Sequence, residues 1–276
     1  MTSQLQKAHA FQRLHAGPGI FVIPNPWDAG SARLLEHLGF AALATTSAGL
    51  AFSLARPDGA AGRAETLANA RAIVAATDLP VSADLENGFG DAPATVAETI
   101  RLAAEAGLVG GSIEDATGRS AEPIYGFEAA VARVAAAAVA ARGLDFPFTL
   151  TARAEGYLHG RPDLDETIRR LRAFADAGAD VVYAPGLTKP DDIAALVRAV
   201  DRPVNVLAGV AGSGLSVADL AALGVRRVSV GAALARAALG AFLRAATEIR
   251  DHGTFGFATE AATFGELNGI FAQPRT

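Results

Sequence analysis

Short runs of apolar and β-branched residues recur along the chain, and each is followed by an Ala-rich stretch with helical spacing. The runs predict strands near residues 20–24, 41–46, 80–86, 111–115, 148–153, 181–184, 204–207 and 228–230. Between and after them the spacing predicts helices near 28–38, 64–76, 92–106, 127–141, 164–177, 190–200, 217–223 and 234–250. Most of the strand runs are continuously apolar rather than alternating, as when helices cover one face and a packed interior the other. Gly39, Gly107, Gly178 and Gly224 follow predicted helices and suit C-caps that lead into the next strand. Eight strand–helix units in 276 residues predict a single (β/α)8, TIM-type barrel domain spanning 1–276, with the barrel at about 18–250 and a C-terminal helical extension at 251–276. A doubly wound open sheet is the runner-up, but no Gly-rich dinucleotide or phosphate fingerprint follows the first strand.

Composition narrows the function. The net charge of −5 is too mild for a nucleic-acid footprint, and no stretch reads as signal peptide or membrane anchor. The absence of cysteine removes disulfides, thiolate metal sites and cysteine nucleophiles, and leaves the cytoplasm as the expected compartment. The segment after Arg250 carries Phe255, Phe257, Phe264 and Phe271, too aromatic to stand in water, so a partner subunit is expected to cover it.

The candidate chemistry collects where barrel strands end, which is where such barrels place their functional groups. The third strand closes on Asp84-Leu-Glu86-Asn-Gly-Phe-Gly. Alternation along a strand would point both acids the same way, toward an all-oxygen divalent-cation site; the plainer reading has one acid capping a helix and the other pairing an arginine. The second strand runs into Thr45-Thr46-Ser47-Ala48-Gly49, whose amides suit a close anionic group, and on to Asp58 in a Pro-Asp-Gly turn. The fourth strand supplies Glu114 and Asp115, the fifth Arg153 and Glu155, the seventh Asn205. Asp115 alternates away from Glu114 and reads as a turn acceptor. Arg153 either clamps an anionic substrate or neutralises Glu155 or Glu114. His159 reads as a solvated loop histidine, Lys189 as a helix-entry residue. His9, His15, His37 and His252 are expected at the surface.

Together these motifs resemble the isocitrate lyase/phosphoenolpyruvate mutase superfamily, over most of the chain from Asn25-Pro26-Trp27-Asp28 to Asn205. The resemblance implies a (β/α)8 barrel that binds Mg2+, with Mn2+ as a substitute, and stabilises the enolate of an α-oxo acid. Carried over residue by residue, it makes Asp84 the direct metal ligand, with Glu86, Asp58 and Glu114 holding the metal's waters. Glu86 stands where the family usually has aspartate, so its contact with the metal is open. Thr46, Ser47 and Ala48 would cradle the substrate carboxylate, Arg153 would bind its oxygens, and Asn205 joins them as a substrate residue. Asp58, Glu114 and Arg153 form the expected catalytic set. The family also exchanges its last barrel helix between subunits, which implies a homodimer or homotetramer.

Two departures bear on the reaction. The loop after the fourth strand, residues 116–126, lacks the Lys-Lys-Cys-Gly-His of the lyase branch, and the sixth-strand end, Tyr183-Ala-Pro185-Gly186, lacks the family's glutamate or histidine. The expectation is therefore a Mg2+-dependent carbon–carbon lyase or decarboxylase acting on a small α-oxo acid or related 2-hydroxy di- or tricarboxylate. Decarboxylation needs no base to begin; an aldol-type cleavage would use Tyr125, Glu122 or Arg119 of the loop as proton shuttle. The alternatives are phosphonopyruvate-type P–C chemistry and an oxo-acid-binding protein with little turnover.

Overall fold

The computed structural model describes residues 2–209 and 214–273; Met1 and the last three residues of the expected extension lie outside the described residues. Eight parallel strands form the barrel: β1 (Phe21–Ile23), β2 (Leu43–Ala44), β3 (Val81–Asp84), β4 (Gly110–Glu114), β5 (Thr149–Arg153), β6 (Val181–Tyr183), β7 (Val204–Leu207) and β8 (Arg227–Ser229). Seven ladders run β1-β8-β7-β6-β5-β4-β3-β2. At the remaining seam, between β1 and β2, Ala44 N donates to Pro24 O at 3.1 Å, and Asn25 Nδ2 donates to Thr45 O at 3.0 Å. The same Asn25 accepts from Val230 N and Gly231 N, so one side chain ties the start of the barrel to its last strand.

The helices are α1 (Gln4–Ala16), α2 (Ala29–His37), α3 (Ser47–Ser53), α4 (Arg63–Ala76), α5 (Pro93–Glu105), α6 (Phe127–Arg142), α7 (Leu164–Asp176), α8 (Pro190–Ala199), α9 (Val217–Ala222), α10 (Ala233–His252) and α11 (Phe264–Ala272). Every predicted strand and helix is present, mostly trimmed at its ends. The last strand also begins one residue early, at Arg227, because its register with β7 pairs Asn205 with Arg227. Strand residues such as Val81, Leu150, Val182 and Val228 are buried, and α6 turns a row of alanines inward, which lets α5 and α6 pack closely.

Two helices fall outside the predicted set. The N-terminal α1 is set by a capping box, Ser3 with Gln6, and closes the bottom of the barrel. Gln4 Nε2 donates to Ala104 O and Leu108 O, and Lys7 Nζ to Thr77 O. Phe11 is fully buried and touches Gly110, where an added Cβ would stand 2.8 Å from its ring. The expectation that His15 lies at the surface is wrong: α1 carries it under the barrel, 8% exposed, while His9, His37 and His252 are exposed as predicted. The short α3 sits inside what reads in sequence as a loop.

α10 leaves the barrel with only Ala235 buried and presents Leu239, Phe242, Leu243 and Ile249. α11, the helical part of the predicted extension, lies back near α2, where Arg33 Nη2 donates to Gln273 O at 2.7 Å. Among the described residues no helix is long and apolar enough to cross a membrane.

Candidate functional site

A cavity of about 220 Å³ opens at the carboxyl ends of the strands, and Thr46, Ser47, Ala48, Asp58, Asp84, Arg153 and Asn205 all line it. Seven of the nine sequence-predicted site residues therefore share one space. Glu86 and Glu114 are not on its wall and join the site through charge, as described below.

Thr46 caps α3, its Oγ1 accepting from Gly49 N at 3.2 Å. Gly49 is required there: a Cβ would stand 2.6 Å from Thr46 Cγ2 and 2.9 Å from Trp27 Cβ. The first turn of α3 is thus held against the cavity, and Ser47 N at its start donates to Asp84 Oδ2 at 3.4 Å. Ser47 donates its hydroxyl to Asp84 Oδ2 at 2.7 Å.

Arg153 is the hub. Its Nη1 meets Asp84 Oδ1 at 2.9 Å, its Nη2 Glu114 Oε2 at 3.3 Å and its Nε Glu155 Oε1 at 2.8 Å. It neutralises Glu155 and Glu114, one of its two readings, and it also lines the cavity. Carboxylates still outnumber it. Burial, then the charge of Asp84, raises Asp58. Burial, then Asp84 and Asp58, pushes Glu86 up to about 7. Burial raises Glu114 well above the usual range although Arg153 pulls the other way. Behind this set, Asp115 accepts from Glu155 N at 2.7 Å and pairs Arg170 at 3.1 Å, the acceptor role expected of it.

Asp84 and Glu86 do not share a face by strand alternation, as the sequence suggests. β3 ends at Asp84, whose Oδ1 accepts from Glu86 N at 3.2 Å, and Glu86 turns through a left-handed φ of 47°. The turn still brings Glu86 within the field of Asp84 and Asp58.

The chemistry of this donor set fits a divalent cation. Glu86 Oε1 is buried without a hydrogen-bond partner, a costly state for a carboxylate oxygen that a cation or its water would relieve. Among the described residues no three or more His, Cys, Asp or Glu side chains are set to hold an ion directly. Mg2+ keeps several waters and needs only one or two carboxylates, so a donor set of this kind does not conflict with it.

The loop candidates for proton transfer are elsewhere. Thr117 and the Ala116–Ile124 bridge fold the loop on itself, and Asp91 takes both Arg119, at 2.8 Å, and the Tyr125 hydroxyl, at 2.5 Å. Glu122 is exposed, and none of the three lines the cavity. His159 and Lys189 are exposed away from it too.

Two titratable cavity residues, Tyr183 and Arg227, escape the sequence reading. Tyr183, at the end of β6, faces the cavity, and burial pushes its phenol up to about 12, so it keeps its proton. The aromatic ends an apolar run and reads as core. Arg227 also lines the cavity while 5% exposed. Its signal was an arginine inside a β-branched run, where Arg226 on the opposite face reaches out to Gly19 O.

The phosphoenolpyruvate phosphomutase family profile matches residues 11–250. An uncharacterised Mycobacterium tuberculosis protein is 37% identical, over 88% of this chain and 89% of its own. The oxaloacetate decarboxylase of Paraburkholderia xenovorans is 33% identical over 73% of this chain and 67% of its own. Among solved structures, a candidate lyase/mutase from Burkholderia cenocepacia superposes with a TM-score of 0.97 at 65% identity, covering 99% of this chain and 98% of that one. A phosphonopyruvate hydrolase in complex with oxalate and Mg2+ superposes at 0.85 with 27% identity, over 98% and 95%.

Proposed function

Because the chain belongs to the phosphoenolpyruvate phosphomutase family, within the isocitrate lyase/PEP mutase superfamily, we propose that it is a Mg2+-dependent carbon–carbon lyase or decarboxylase of a small α-oxo acid or related 2-hydroxy acid. The observation that carries this reading is the excess of carboxylates around Arg153, with Glu86 Oε1 buried and unpartnered. Asp84 would hold the metal, with Glu86, Asp58 and Glu114 on its waters. Bound there, Mg2+ or Mn2+ would supply Lewis-acid stabilisation of the charge that grows on the oxo oxygen as the adjacent carbon–carbon bond breaks.

The chain's own groups do the rest. Thr46, Ser47 and Ala48, which line the cavity at the start of α3, would cradle the substrate carboxylate, and Arg153 and Asn205 would orient it. Tyr183, protonated at its hydroxyl, holds a proton at the cavity wall where the lyase branch would use its loop. Oxaloacetate, isocitrate, methylisocitrate, dimethylmalate and phosphonopyruvate, each assayed with Mg2+ and with chelator, test the reading. Carbon–carbon cleavage of one of the first four, lost on chelation, is the expected result. Turnover of phosphonopyruvate alone would move the chemistry to the P–C bond. Mg2+-dependent oxalate binding with no turnover would make this a binding protein.

The assembly is part of the proposal. The apolar face that α10 leaves uncovered belongs on a neighbouring subunit of a homodimer or homotetramer. Truncation after Arg250 should release smaller, less stable species in sedimentation. A full-length chain that sediments as a monomer at micromolar concentration would overturn it.

A further inference from the structure

Arg133 stands in the middle of α6 and is only 1% exposed. Among the described residues no carboxylate pairs with it; Asp91, whose charge it feels, is taken by Arg119 at 2.8 Å. Its Nη1 donates instead to Gly90 O at 2.6 Å and Asp91 O at 2.5 Å, and its Nη2 to Asn87 O. The Tyr125 ring centroid lies 4.1 Å from its guanidinium carbon, and the Tyr125 hydroxyl reaches on to the Asp91 carboxylate. A buried guanidinium without a counter-charge is expensive to keep. This one is spent on three carbonyls of a single short turn.

That turn, residues 86–91, leads from β3 toward α5 and carries Glu86. Its backbone is strained. Among the described residues three non-glycine positions have a left-handed φ, and two of them lie here, Glu86 at 47° and Phe89 at 62°. A Cβ makes that conformation costly, and such outliers persist only where their surroundings over-determine them. Glu114 N donates to Glu86 O at 3.0 Å, Gly88 N to Leu85 O at 2.8 Å, Thr99 Oγ1 to Gly88 O at 2.8 Å and Phe89 N to Asn87 Oδ1 at 2.9 Å. Each of these fixes one point; Arg133 fixes three. Without its fork, Asn87, Gly90 and Asp91 lose a carbonyl partner together, and the turn can relax toward the φ its side chains prefer. Glu86 would then swing away from Asp84 and Asp58.

We propose that Arg133 is a positioning residue whose fork on three carbonyls holds the left-handed turn that aims Glu86 at the metal's waters. It touches neither ligand nor reacting atoms and acts through Glu86. Tyr125 and Arg119, which lie off the cavity wall, close over the same turn through Asp91. The inference rests on the Mg2+ reading of the acidic cluster.

Mg2+ alone, titrated calorimetrically into wild type, Arg133→Met, Glu86→Gln and the double variant, is the probe. Each single variant should bind Mg2+ about ten-fold more weakly, the lower end of what groups behind a metal's ligands contribute. The double variant should bind no more weakly than Glu86→Gln, since Arg133 then has nothing left to aim. In the metal-free proteins, hydrogen exchange at Gly88 and Phe89 should quicken about ten-fold in Arg133→Met, the scale of one charge-assisted bond lost, while strand amides stay protected. A residue that only held α6 in place would cost the same factor in both backgrounds; that result overturns the inference. Unchanged Mg2+ affinity in folded Arg133→Met, or unchanged exchange at the turn, overturns it too. Should Arg133→Met not fold, Arg133→Lys, which keeps the charge and loses the fork, enters the same four-way comparison. If wild type takes up no Mg2+, or Glu86→Gln binds it as wild type does, the metal reading itself fails and the inference falls with it, an outcome distinct from an Arg133 variant that behaves as wild type.

Discussion

Asp84→Ala should remove Mg2+-dependent turnover, by about three powers of ten or more, since Lewis-acid help of several kcal/mol is lost and each 1.4 kcal/mol is ten-fold. The barrel should survive. Asp84 lies at the functional rim, and its charge is one of the reasons the carboxyls of Glu86 and Asp58 are raised. Taking it away relieves that repulsion, at the cost of the bonds from Ser47 and Arg153. Thermal unfolding should therefore change little, while calorimetry detects no Mg2+ uptake at concentrations that saturate wild type. Asp84→Asn, which keeps the shape and not the charge, should fail in the same way. Near-normal turnover by folded Asp84→Ala would remove Asp84 from the metal site.

Arg153→Lys should be costly in two measurements at once. A planar fork serves Asp84, Glu114 and Glu155 together, and an ammonium cannot reach all three in that geometry. Charge-assisted hydrogen bonds contribute about 1.5–3 kcal/mol each, so losing at least one of them should lower unfolding free energy by roughly that amount. Oxalate affinity should drop by about ten-fold or more for each bond the ligand no longer receives. Unchanged oxalate affinity in a folded Arg153→Lys protein would confine Arg153 to neutralising its acidic neighbours.

Much of the architecture was legible because barrel strands buried on both faces write themselves as apolar runs, and because functional acids fall at the point where those runs stop. Arg153 closes its strand as expected, Glu114 closes its own one residue before the predicted end, and Asp84 two residues before. The contents of the barrel's lower half were not legible. His15 looks like one more polar residue on an amphipathic helix until α1 is seen to close the floor. Arg227 and Tyr183 belong to strands whose neighbours are apolar, and only register shows which face each takes. Glu86 reached the site by a left-handed turn instead of strand alternation, a right grouping for the wrong geometric reason. The loop at 116–126 misled in another way: its polar side chains invite a chemical role, yet Asp91 ties up Arg119 and the Tyr125 hydroxyl, and Glu122 is exposed off the cavity wall.

The joint between β1 and β2 gives the site an elastic quality. A hoop of seven ladders is closed by one main-chain bond and by the amide of Asn25, and the residues just past that joint, Thr45 to Ala48, are the ones that bound the cavity. Local opening of the hoop should therefore begin at this joint, beside the residues that bound the cavity, at less cost than global unfolding. Occupancy that spans from α3 across to β7 braces the circumference from within. Tightness of fit and closure of the barrel should then vary together, through Asn25, which both bridges the joint and lines the cavity.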